Sequence, residues 1–255
     1  MHKIIYEQPL NERMRSFLRL EYLFRQVDFS LNGTSVWDSR AALEGIIEIH
    51  NLVGRSDLKT EILKELERHT QNLTQLMENP QVDHRRLDHI LLVLDSLNQQ
   101  IFSDNQPFGF ELKQNELINT IRQRITVPGG TCEMDLPVYH FWLQQTAEKR
   151  IDDLTDWMSG FSMLRQAIEL VLKLIRESAV AREQVAEEGF YQRNMDPSNP
   201  CQLLRIGLSA DSPYYPEISA GKHRFTIRIM QQSDLMSRPK QISESTHFDL
   251  YCCII

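Results

Sequence analysis

The sequence predicts an α+β fold: an α-helical, bundle-like domain plus a smaller antiparallel β-sheet domain formed by the N-terminal strand and the C-terminal strands. Apolar residues recur at helical spacing through most of the chain, and after Gly189 the period switches from about 3.6 to 2. A third observation links the ends. Residues 3–7, with Ile4, Ile5 and Tyr6 before Pro9, read as one short strand with nothing beside it to pair with. It is therefore expected to join the C-terminal sheet. The helical domain then spans residues 10–185, with a short strand near 131–136 joining the sheet, and the β-domain comprises residues 1–9 plus 186–255.

Asn11 is a good N-cap for the first helix, in which Met14, Phe17, Leu18, Tyr22 and Phe24 recur until Asn32 and Gly33 end it. Ser35 and Asp38 fit a capping box, and Leu43, Ile46, Ile47 and Ile49 follow as an apolar stripe up to Gly54. Ser56 is expected to cap the next helix, where Leu58, Ile62, Leu63, Leu66, Leu73 and Leu76 mark one face up to Asn79 and Pro80. Asp83 opens another, with Leu87, Ile90, Leu91, Leu94 and Leu97 facing inward. Long helices with short connections become antiparallel neighbours, so residues 10–104 should form a bundle. A shorter helix over 116–124 precedes the turn composition of Val127, Pro128, Gly129 and Gly130.

Beyond the strand expected at 131–136, residues 137–144 carry Phe141 and Trp142, and 146–158 return to helical spacing. Residues 163–181 make the most apolar helix. Leu164, Ile168, Val171 and Ile175 form its stripe, and Ala167, Leu170, Leu172 and Leu174 widen it, so it is expected at the centre of the helical core, packed on most sides. Four strands are then expected, at 189–194, 203–209, 224–230 and 247–253, separated by turn clusters around Pro197 and Pro200, around Pro213, and at Ser219, Ala220 and Gly221.

At 255 residues, with 41% hydrophobic and 25% charged residues, the chain has the composition of an ordinary globular protein. Its apolar runs are far shorter than the roughly 20 residues of a bilayer span, and Glu7 interrupts the start where a secretory signal would continue apolar. A cytoplasmic protein without a membrane partner is expected. Cys132, Cys201, Cys252 and Cys253 have no CxxC spacing and are expected as reduced thiols, the neighbours Cys252 and Cys253 being able to bridge each other only with strain. A net charge of -7 argues against bulk nucleic-acid binding.

Catalytic signatures are missing. The chain has no phosphate-cradling GxxxxGK[ST] or GxGxxG, no zinc-binding HExxH and no GxSxG elbow. His84 and Asp88 share a helical face but lack a third ligand, so no metal is expected. Asp152 with Asp153, and Glu187 with Glu188, read as solvated helix ends, and Cys132 has no adjacent His to activate it. Neither a catalytic residue nor a cofactor is expected.

The informative segment runs from Lys222 to Met230. On a strand, Phe225, Ile227 and Ile229 point to the core, which sends Arg224, Thr226 and Arg228 to the opposite face with no acid among them. The two arginines stand about 13 Å apart at a rise of roughly 3.3 Å per residue. Leu204, Ile206 and Leu208 repeat the pattern and turn Arg205 outward. Such a strip either solubilises an exposed sheet face or docks a carboxylate-bearing peptide, because guanidinium groups hold carboxylates through paired bonds. Periodicity alone does not choose. An alternative class is a nucleic-acid-binding regulator using the same strip, which the acidic total disfavours.

Several segments together resemble the ZapD family, the Z-ring-associated proteins D of bacterial division. They are PLNERMRSFLRLEYLF at 9–24, RSDLKTEILKELER at 55–68, RQRITVPGGTCEMDLPVYHFWL at 122–143, VLKLIRESA at 171–179, GFYQ at 189–192 and YPEISAGKHRFTIRIM at 215–230. The resemblance implies a helical domain plus a smaller β-domain and a homodimer acting at the midcell division site. It implies that the chain binds the C-terminal tail of the division protein FtsZ on a basic surface where the domains meet, and bundles FtsZ filaments. Matched by position, it assigns tail binding to Arg224, Arg228 and Arg55; Arg205 and Lys222 are added on strand geometry.

Overall fold

Helix starts follow the capping chemistry written in the chain. In the computed structural model, which describes residues 2–54, 57–196, 198, 200–221 and 223–254, Asn11 Oδ1 accepts a 2.8 Å hydrogen bond from the Met14 amide. The helix it opens is α1, Glu12–Leu31. Ser35 and Asp38 form the expected reciprocal capping box at the start of α2, Val36–Val53. Next come α3, Leu58–Gln75, continued by a 3₁₀ turn at Leu76–Glu78, and α4, His84–Ser103, whose first turn is capped by Asp83 through the Arg86 amide. Asn115 caps α5, Glu116–Arg124, and Thr146 caps α7, Ala147–Ser159; between them lies α6, Pro137–Leu143. The last helix is α8, Ser162–Glu177. The expected Ser56 cap lies outside the described residues.

The chain divides into two compact units, residues 16–171 and residues 1–15 with 172–255. In the helical unit α3 packs along α4 and α2 along α7. Phe17, Leu20, Phe24, Leu43, Ile46, Leu66, Leu94, Leu164 and Ile168 are buried in its interior. Arg150 on α7 is buried as well and organises the surrounding backbone: Nε donates to Ser39 Oγ at 2.9 Å, Nη1 to the carbonyls of Leu143 and Gln145, and Nη2 to that of Thr34 at 2.8 Å. Trp142 stacks between Tyr139 and Trp157, and its Nε1 donates to Asp153 at 3.0 Å. Asp153 is thus a structural acceptor, held also by Lys149.

Three expectations change. Residues 131–136 form consecutive turns, because Gly129 adopts φ 71° and the following amides bond locally, Cys132 to the Gly129 carbonyl and Leu136 to that of Cys132. The amides of Cys132, Asp135 and Leu136 are thus spent within the segment rather than on a neighbouring strand. The helix expected over 163–181 ends at Glu177 and is amphipathic, with Gln166, Glu169 and Lys173 exposed along one side, so it is not packed on most sides. Residues 182–185, expected in the helical domain, belong to a strand, Arg182–Ala186.

The β-containing unit holds two four-stranded antiparallel sheets where one was expected. Its strands are β1, Lys3–Pro9; β2, Arg182–Ala186; β3, Phe190–Asn194; β4, Leu203–Ser209; β5, Tyr214–Ala220; β6, Arg224–Gln231; β7, Lys240–Gln241; and β8, Thr246–Cys253. The first sheet runs β1-β4-β8-β2, so the N-terminal strand does join the C-terminal ones, with Tyr6 opposite Ile206. The second runs β3-β6-β5, with β7 also on β6. Glu188 and Gly189, at φ 49° and 69°, form the tight hairpin that carries the chain from β2 in one sheet to β3 in the other. A single apolar core, containing Leu204, Ile206, Leu208, Phe225, Ile227, Ile229, Phe248 and Leu250, fills the space between the sheets. β5 contains Pro216, which an edge strand tolerates because its missing N–H has no ladder partner to fail.

His50, in the last turn of α2, is buried and its Nδ1 lies 3.3 Å from Arg122 Nη1. A guanidinium only donates, so Nδ1 accepts. Burial, then the charges of Arg122 and Lys113, hold the imidazole below its ordinary pKa of 6.5. The unfolded chain therefore takes up a proton that the folded one refuses. Stability is expected to be unaffected by His50 above pH 6.5 and to fall as pH drops below it. Urea unfolding of wild type and His50→Gln at pH 7.5 and 5.5 checks this: the gap between the two pH values should shrink in the variant, and an equal gap would refute the assignment.

Candidate functional site

β6 alternates strictly. Phe225, Ile227 and Ile229 are buried, whereas Arg224 and Arg228 are exposed and Thr226 is half-buried between them. The burial of the first set dictates the exposure of the second, since successive side chains leave a strand on opposite faces. Neither Arg224 nor Arg228 makes an ion pair with another described residue. Both guanidinium groups are available.

The flanking strands complete this outer face. Phe190, Arg228 and Glu217 stand in one cross-strand row, Gln192, Thr226 and Ser219 in the next, and Asn194 lies beside Arg224. Directly opposed side chains on neighbouring strands have Cβ atoms about 4.5–5.5 Å apart. The face therefore offers two cations about 13 Å apart, amides and hydroxyls between them, and at one end the phenyl ring of Phe190, 42% exposed. This suits an extended peptide with acidic groups and an apolar side chain. Glu217 qualifies the expected acid-free strip: β6 itself has no acid, but its neighbour sets one opposite Arg228. Reading the sequence missed Glu217 because Pro213, Pro216 and the Ser219-Ala220-Gly221 cluster look like turn signals rather than a strand.

Arg205 does not belong to this face. It sits on β4, in the other sheet, where Nε donates to Glu7 Oε1 at 3.0 Å and the guanidinium lies 5.2 Å from the centre of the Tyr251 ring. Arg176, at the end of α8, grips both oxygens of Glu7 from Nε and Nη2 at 2.9 and 2.8 Å. Arg205 Nη1 further donates to the Arg176 carbonyl. Strand parity turned Arg205 away from the shared core as expected, but the carboxylate of β1 and the last turn of α8 meet it there. Arg55 and Lys222 lie outside the described residues.

Among the described residues no helix is long and apolar enough to cross a membrane. The helical unit, the paired antiparallel sheets and the N-terminal strand delivered into a C-terminal sheet are the setting of the arginine strip, and comparison with known proteins gives that setting a class: cell division proteins. Residues 18–228 match the family model for ZapD, described as a cell division protein. The cell division protein ZapD of Methylococcus capsulatus is 41% identical over 254 residues, covering 100% of this chain and 99% of its own. The ZapD proteins of Coxiella burnetii and Ralstonia pickettii are each 38% identical, over 253 and 251 residues, covering 99% and 98% of this chain and 98% and 99% of theirs. The chain belongs to the ZapD family.

The Glu7 cluster supplies a direct test of the assignment of Arg205. All three side chains are only 20% exposed. Glu7→Gln removes the charge that two guanidinium groups share and is expected to destabilise the fold by roughly 1–3 kcal/mol. A shift of the urea midpoint to lower concentration, at unchanged slope, is the expected reading; an unshifted midpoint would mean that Arg205 and Arg176 are merely solvated.

Proposed function

We propose that this chain is a non-catalytic division adaptor that holds the C-terminal tail of FtsZ on the outer face of β6 and, as a homodimer carrying two such faces, bundles FtsZ filaments in the cytoplasm at midcell. The observation that carries the reading is the pair of exposed guanidinium groups, Arg224 and Arg228, each without an ion-pair partner among the described residues. Family membership supplies the cell-division context. Arg55 and Lys222 are included on the sequence resemblance and strand pattern alone, and Arg205 is left out because Glu7 engages it.

The mechanism is multivalent cross-linking. A filament displays many tails, so once one face of a dimer is occupied the second meets tails at a high effective concentration. Micromolar affinity per face, about -8 kcal/mol, then suffices for bundling. Paired N–H donors on each guanidinium fit carboxylates, and Phe190 gives an apolar side chain of the same peptide a place to rest. Glu217 opposes excess negative charge beside Arg228 and so favours peptides whose acids are spaced rather than clustered.

Arg224→Glu and Arg228→Glu are each expected to weaken binding of a fluorescent FtsZ-tail peptide by at least tenfold in anisotropy, and to abolish co-sedimentation with FtsZ polymers. Circular dichroism and the sedimentation coefficient should stay unchanged, because neither side chain is part of the core. Polymers of tail-less FtsZ should fail to pull down the wild-type chain. Binding should also weaken as salt rises past physiological strength, where charges are screened beyond about 8 Å. Wild-type peptide affinity in both variants would refute the docking face.

A further inference from the structure

At the open end of the space between the two sheets, just before β2 begins, lies a cavity of about 280 Å³. Val180, Leu250 and Ile254 give it apolar walls, and Arg182 from β2, Arg193 from β3 and the thiol of Cys252 on β8 give it its chemistry. Neither arginine makes an ion pair with another described residue. Cys201, two residues before β4, packs against the same apolar core as Cys252, and the chain is pinned there by the Gln202 amide donating to the Cys253 carbonyl at 2.7 Å. We propose that Cys252 is a peroxide-reactive thiol and Cys201 its resolving partner, the two closing reversibly into a disulfide that ties the start of β4 to the end of β8.

The electrostatics favour this pair over the other cysteines. The contact with the Cys201 thiol, and then the positive fields of Arg193 and Arg182, hold the Cys252 thiol below its ordinary range although burial opposes them. The same contact with Cys252, reinforced by burial, pushes Cys201 far up, so Cys201 keeps its proton, and its Sγ donates to the Leu203 carbonyl at 3.4 Å. Cys253, one residue on, points to the opposite face of β8, is fully buried, and is raised by that burial to about 11. Cys132 lies in the helical unit, with its thiol directed at Asp135.

The chemistry balances with hydrogen peroxide as the oxidant. The Cys252 thiolate attacks one peroxide oxygen; an S–O bond forms, the O–O bond breaks and hydroxide leaves, taking up a proton as water. Cys201 sulfur then attacks the sulfenic acid, the S–S bond forms and the S–O bond breaks. The departing hydroxide takes the Cys201 proton as a second water. Two electrons pass from the sulfurs to the peroxide, and a cellular dithiol reverses the step by exchange.

Treating the reduced full-length chain with hydrogen peroxide is expected to lower its mass by two hydrogen atoms. Fragmentation of the proteolytic peptides should link Cys201 to Cys252. In Cys201→Ser the reaction should stop at a sulfenic acid on Cys252, captured by dimedone. Alkylation of Cys252 in the untreated protein should be half-maximal below the ordinary thiol value of about 8.5, and Arg182→Gln with Arg193→Gln together should slow it severalfold at neutral pH. Primary oxidation of Cys132, a link confined to Cys252 and Cys253, or an alkylation midpoint near the ordinary thiol value of about 8.5 would each overturn the proposal.

Discussion

The burial of Phe225, Ile227 and Ile229 between two sheets is the constraint on which the rest of the β-containing unit depends. Those three side chains fix the pleat of β6, and the pleat fixes where Arg224 and Arg228 stand. A one-residue slip of β6 would drive both guanidinium groups into an apolar core and expose three large hydrophobic side chains. Charges buried without partners are far more costly than hydrophobic groups left in water. The arginine strip is therefore held by packing rather than by its own contacts, which leaves its hydrogen-bonding capacity for something else.

Arginines in this one unit divide by what meets them. Arg176 and Arg205 are spent inward on a single carboxylate, Glu7, and so join the last turn of α8 to β1 and β4. Arg224 and Arg228 face outward on the second sheet, and Arg182 and Arg193 line a cavity beside the Cys252 thiol. The residue type is constant. The neighbouring surface decides whether it is spent in an internal ion pair, left exposed on a sheet face or set into a cavity wall.

Much of the helical organisation was legible because caps and apolar stripes are local: Asn11, the Ser35 and Asp38 pair, and Asp83 each mark a helix start that the structure places within a residue. Strand parity on β6 was legible for the same reason. Most of what failed depended on contacts between distant segments. The turn chemistry of β5 hid a strand because Pro216 is harmless only at an edge, and edge status is not written locally. Residues 131–136 read as extended, yet Gly129 in the left-handed region turns the chain back on itself. Arg205 was assigned its correct face and the wrong company, since its partner Glu7 lies at the far end of the sequence.

Pro216 has a second consequence. The rim of a β-sheet is a row of unspent backbone groups onto which a strand from another molecule can zip. β5 forms such a rim, and midway along it Pro216 deletes a donor while Glu217 next to it adds a charge. Both are recognised obstacles to ladder extension between molecules. The interrupted rim therefore lets the chain reach high local concentration without its own sheets polymerising.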